Sequence, residues 1–173
     1  MGPINSLKHL LPKRLLRTLY YSMVNPFLTY GLLLWGSARK KHLKQIETLQ
    51  KRAIRSITLA TYNEHSLPLF KQMRILKLNE LYLKQINSFM CCYNMNLLPL
   101  PLQSMYIKNR DIHSYETRQS NNPRTVPHRN HVLSNSFVCK GPDQWNKLPN
   151  DVRNAPSILS FKSRLANLYL SNY

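Results

Sequence analysis

The stretch RKKHLKQIETLQKRAIRSI, residues 39–57, decides how this chain reads. At 100° per residue, Leu43, Ile46, Leu49, Ala53, Ile54 and Ile57 fall on one face. Lys40, Lys41, Lys44, Lys51, Arg52 and Arg55 fall on the opposite face, and Glu47 is the only acid. The pattern predicts an amphipathic helix over 40–57, roughly 27 Å long. One side belongs in a protein core and the other presents six cations. A nucleic-acid backbone carries a charge every few ångströms, so a helix of that length can follow several phosphates. The competing reading is a face whose charge only keeps the chain soluble. Such faces usually mix signs, and this one does not.

Composition widens the point. The chain has 173 residues, enough for one domain or one domain with an appendage, and 43% of them are hydrophobic, enough for a core. Against 25 Lys and Arg stand 7 Asp and Glu, a formal net charge of +18. Charge of that size works against a compact monomer unless a polyanion is present. Nucleic acid is the first candidate partner and an anionic membrane surface the second. Cys91, Cys92 and Cys139 do not make a disulfide framework, and reduced thiols in an intracellular protein are expected, with nucleus and cytoplasm not distinguished. The apolar run Leu15–Trp35 raises a signal peptide or membrane span, but Arg17, Asn25 and Pro26 interrupt it, so neither is expected.

Outward from the basic helix, the expected fold is mainly α. It is a small helical bundle with a long irregular loop segment and a C-terminal helix. Residues 1–12 read as a leader, with Pro12 suited to open a helix. Leu15, Leu16, Leu19, Tyr20 and Met23 make a helical stripe that Pro26 should end or kink. A second short helix is expected over Pro26–Leu34, with Phe27, Tyr30 and Leu33 or Leu34 inward and Gly36 as its stop. Ser66 can cap a short helix that holds Pro68. Asn79 can cap a longer one whose face is Leu78, Tyr82, Ile86, Phe89, Met90, Tyr93 and Leu97, with Glu80, Lys84, Asn87 and Ser88 opposite. The helical domain therefore spans 13–98. Over 99–135 the periodic apolar pattern is lost, and this polar linker is either disordered alone or ordered against nucleic acid or another domain. Within 136–173, Cys139–Pro149 reads as a turn-rich anchor around Trp145. A final helix comes next, capped by Ser157, with Ile158, Phe161, Leu165, Leu168 and Tyr169 on one face. No internal repeat is visible.

Several short pieces, taken in order, carry a resemblance. They are Leu19-Tyr20 through Pro26, Leu28-Thr29-Tyr30-Gly31 to Trp35-Gly36, and Leu49-Gln50-Lys51-Arg52-Ala53-Ile54-Arg55. Phe89-Met90 and His113-Ser114-Tyr115-Glu116-Thr117-Arg118 come after them, then Gly141-Pro142-Asp143-Gln144-Trp145-Asn146-Lys147-Leu148-Pro149 and Ser160-Phe161-Lys162. Their order and spacing across nearly the whole chain resemble the C-terminal, thumb and post-thumb region of a LINE-type (non-LTR, jockey-like) retrotransposon reverse transcriptase. The resemblance implies a helical thumb that holds the primer–template duplex, with Lys51, Arg52 and Arg55 on the helix facing the nucleic acid. Arg118 would be a further polar contact or a clamp within the protein. It implies RNA, DNA or their hybrid as partner, with the missing polymerase palm as another.

The parent enzyme, an RNA-directed DNA polymerase, uses Mg2+ ions held by carboxylates that include adjacent aspartates. Here Asp111, Asp143 and Asp151 are the only aspartates and none are adjacent. The chain therefore reads as the tail of a polymerase, from a truncated element copy or fragmentary gene product. It is not expected to be active alone, and no catalytic residue, cofactor or metal is assigned to it.

Other chemistry is weaker. His128, His131 and Cys139, with Cys91 and Cys92 upstream, suggest zinc, but only His128 and His131 have a paired spacing. Cys139 beside Lys140 lacks an oriented His–acid pair, and four glycines make no phosphate loop. Tyr20, Tyr21, Phe27, Tyr30 and Trp35 can stack bases, though their helical spacing favours a core. The rival to a nucleic-acid-binding thumb is a helical interaction protein whose uncovered apolar faces drive self-association.

Overall fold

The computed structural model describes residues 2–112, 115 and 117–173, without the side chains of residues 2, 3, 131 and 132. Of the motif at 113–118, His113, Ser114 and Glu116 therefore lie outside the described residues. The chain is mainly helical, with no strand among the described residues and one isolated antiparallel bridge between Lys108 and Pro123. It divides into two compact units. One is Met1–Tyr82 with Ala166–Tyr173, and the other is Leu83–Leu165.

The first unit is built around the basic helix. It contains α1 (Gly2–Leu7), α2 (Lys13–Leu19), α3 (Asn25–Thr29), α4 (Leu32–Trp35), α5 (Lys40–Thr58) and α6 (Ser66–Met73). The first turn of α7 (Leu78–Asn94) belongs to it as well. Helix α5 packs against α1, α2 and α6. Helix α1 falls within the segment read as a leader, and its Ile4 is buried.

Proline shapes the backbone between α2 and α3. Pro26 has no N–H to give the Ser22 carbonyl, and the helix widens into a π-helix over Tyr20–Val24 before α3 begins. The single helix expected over Pro26–Leu34 is instead two, because Gly31 takes a left-handed conformation (φ 61°) between them. That break turns the apolar set over. Leu28 and Leu32 are buried, whereas Phe27, Tyr30 and Leu34 are 82%, 86% and 70% exposed, against expectation. In the stripe before them Leu16 and Tyr20 are buried, and Leu15 and Met23 are exposed.

Helix α7 is not capped by Asn79. Its start is held from two other elements. The Gln50 amide of α5 accepts from the Leu78 N–H (3.0 Å) and donates to the Leu76 carbonyl (2.9 Å) and the Tyr20 hydroxyl (2.9 Å). The Tyr173 hydroxyl accepts from the Lys77 N–H (2.9 Å) and donates to Glu80 (3.2 Å). Orphan amides at a helix start need acceptors, and here tertiary groups supply them. Ser66 is likewise the first residue of α6 rather than its cap.

The second unit holds the remainder of α7 and most of the C-terminal third. Its elements are α8 (Leu100–Gln103), a 3-10 turn at Asn109–Asp111, α9 (His131–Asn135), α10 (Phe137–Asn146), α11 (Asn150–Arg153) and the start of α12 (Ile158–Ser171). Along α7, Ile86, Met90 and Tyr93 are buried as expected and Asn87 is fully buried, but the helix ends at Asn94 and Leu97, expected on its face, is exposed beyond it. Phe89, Tyr93, Tyr106 and Phe137 form an aromatic cluster with edge contacts at 5.2–6.3 Å.

The stretch read as a turn, Cys139–Pro149, is mostly helical. Ser136 caps α10 by accepting from the Cys139 N–H, and Pro142 lies inside it. Gly141 is there for close approach, since a Cβ would sit 2.8 Å from Met90 Sδ and 3.0 Å from the Tyr106 hydroxyl. Trp145 is the expected anchor, buried with its ring 5.6 Å from Phe161. Ser157 caps α12 by accepting from the Ser160 N–H (3.2 Å), as expected. Within residues 99–135, Asn122 accepts from Arg153 (3.3 Å) and the Pro123 carbonyl from Asn146 (3.2 Å).

Candidate nucleic-acid interface

The expected site is the solvent side of α5, which runs one residue beyond the expected Lys40–Ile57. Its core side is Gln50, Ala53, Ile54 and Ile57, all buried. On the other side Lys40, Lys41, Lys44 and Arg52 are exposed, and Lys51 and Arg55 are half-buried. With 3.6 residues per turn, the six cations occupy an arc of about 120° along a helix about 28 Å long. Among the described residues, none of the six is in an ion pair within 4.0 Å. Glu47, one turn from Lys44 and Lys51, is the one acid on the helix, so the row keeps a net positive field toward an external anion.

One correction applies to this helix. Leu49, placed on the core face, is 52% exposed, and Gln50 occupies the core position beside it. The reason is angular: Leu49 stands at the edge of the apolar arc and Gln50 at its centre, where the Tyr20, Leu76 and Leu78 groups satisfy its amide. Burial pushes the Tyr20 phenol up to about 12, a shift that the Gln50 hydrogen bond opposes and neighbouring Tyr21 reinforces. Arg55 has a structural task too. Its Nε and Nη2 donate to the Glu64 carbonyl at 3.1 and 2.9 Å, tying down the loop after the helix.

Arg118 belongs to the second unit, where it is exposed in a turn. Lys8 and His9, in the turn after α1, come beside Arg52 and Arg55. Nothing in the local sequence marks them, since they lie about 45 residues away in a segment without a clear apolar period.

The residues weighed for metal or covalent chemistry are dispersed. His128 is exposed, with Nδ1 3.0 Å from the Val126 carbonyl, and the side chain of His131 is outside the described residues. Cys91 and Cys139 are buried. Burial, then neighbouring Cys92, pushes the Cys91 thiol up to about 11, which suppresses the thiolate. Among the described residues no three His, Cys, Asp or Glu are grouped to hold a metal ion, and no helix is long and apolar enough to cross a membrane. Comparison with protein-family models, with curated proteins and with solved structures gave no match.

Proposed function

We propose that this chain is a non-catalytic, nucleic-acid-binding helical segment of the kind found at the C-terminal, thumb side of LINE-type retrotransposon reverse transcriptases. It grips the phosphate backbone of an RNA–DNA hybrid or related duplex along α5, without reading base sequence. The observation that carries the proposal is the row of six cations on the solvent side of α5 with no ion-pair partner among the described residues. Arg118 is a further phosphate contact in this reading, by its place in the motif that carries the resemblance. Polymer synthesis is no part of the proposal, because no two aspartates adjoin to bridge a metal pair.

The test is hybrid binding over a range of salt, beside a variant carrying Lys40→Gln, Lys41→Gln, Lys44→Gln and Lys51→Gln. Arg55 is spared because it holds the Glu64 carbonyl. Loss of four phosphate contacts flattens the slope of log affinity against log salt by about 3 and weakens binding about a hundredfold. Equal binding by parent and variant would mean that diffuse charge does the work and α5 has no special role.

A second reading, protein association, is favoured by the exposed Phe27 of α3, Leu34 of α4 and Tyr30 in the turn between them. It predicts that the apparent mass in sedimentation rises with concentration, and that Phe27→Ser with Leu34→Ser restores a monomer. A parent that stays monomeric throughout rejects it.

A further inference from the structure

A groove beside the cationic face extends the duplex-binding reading and rests on it. Lys8, Leu49, Arg52, Arg55, Leu59 and Tyr62 line an opening of about 610 Å3. That volume is within the roughly 300–1,000 Å3 typical of small-ligand sites. Two chemistries meet in it. Leu49, Leu59 and Tyr62 are 52%, 51% and 74% exposed, so apolar and aromatic surface faces solvent. Lys8, Arg52 and Arg55 add positive charge, and none of the lining residues is acidic. The two hydrogen bonds from Arg55 to the Glu64 carbonyl fix that guanidinium in place at the groove.

Charge complementarity narrows the occupant. An apolar protein helix would cover the leucines and leave the cations uncompensated. An inorganic phosphate would meet the cations and leave Tyr62 and the leucines wet. A nucleotide satisfies both, with a flat base for the aromatic and apolar wall and a phosphate for the cations. The groove is also contiguous with the α5 face, because Arg52 and Arg55 belong to both. We propose that it takes one unpaired nucleotide of a strand held by α5, the base against Tyr62 and Leu49 and the phosphate at Lys8 and Arg52.

The experiment measures fluorescence anisotropy of the full chain with three RNA–DNA hybrids of equal duplex length. One is blunt, one has a short single-stranded overhang, and one has the same overhang without bases. The overhang with bases is expected to bind about tenfold tighter than the other two, the usual worth of one stacked base. Tyr62→Ala should erase that difference and leave blunt binding unchanged. Tyr62 is exposed, so the variant should keep the parent's melting transition, checked by circular dichroism. Equal binding of blunt and base-bearing ends overturns the groove while sparing the duplex reading, and so does a preference that survives Tyr62→Ala. Tighter binding that the baseless overhang reproduces reduces the effect to charge and also overturns it. Overhang binding without blunt binding supports the groove and overturns the duplex reading.

Discussion

Gln50→Leu should lower the stability of the Met1–Tyr82 unit by about 3 kcal/mol, although leucine is similar in size and more apolar. Gln50 is 2% exposed and joins three elements through one amide. Its Nε2 meets the Leu76 carbonyl and the Tyr20 hydroxyl, and its Oε1 meets the Leu78 N–H. The Leu78 N–H can only donate and the Leu76 carbonyl can only accept, so the amide has a single orientation that serves both. Leucine removes all three partners and leaves at least two backbone groups buried without one. Each orphaned group costs about 1–3 kcal/mol, and the penalties overlap because the groups share one site. Urea unfolding of parent and variant measures the difference. A loss below about 1 kcal/mol would show that those backbone groups find other partners, and the bridging role of Gln50 would fall.

Gly36→Ala should cost a similar amount, about 3 kcal/mol, through overpacking. Gly36 follows α4 with an ordinary φ of −64°, so left-handed geometry is not why glycine stands there. Space is the reason. A Cβ would lie 2.3 Å from the Tyr82 ring and 2.6 Å from the Leu32 carbonyl oxygen. The ring belongs to a buried tyrosine whose phenol burial pushes up to about 12, so it has little room to retreat. The double variant Gly36→Ala with Tyr82→Leu separates the contacts. A positive coupling, in which Tyr82→Leu costs less in the alanine background than in the parent, assigns the clash to the ring. Additive losses would place it at the Leu32 carbonyl or show that the loop simply shifts.

How much of this fold is legible in the sequence depends on whether a signal is local. Helix α5 is readable almost to the residue because period and charge agree over 19 positions. The same holds for the buried face of α7 at Ile86, Met90 and Tyr93, and for Ser157 capping α12. Readings fail where one residue answers to a distant partner. Gly141-Pro142 looks like a turn, yet it sits in α10 because glycine lets that helix approach Met90 and Tyr106. Asn79 looks like a cap, but Gln50 and Tyr173 hold that helix start from elsewhere in the chain.

By itself, then, the sequence determined the helical class, the register of α5 and the single-signed row of cations along it. These come from a 3.6-residue period and a count of charges, which no tertiary contact alters. Tertiary structure alone decided which groups satisfy the buried Gln50 amide, that Arg55 is tied to the Glu64 carbonyl, and that Lys8 comes beside Arg52 at a groove. Burial of a polar side chain is favourable only where partners meet it, and those partners lie 26 to 30 residues away along the chain.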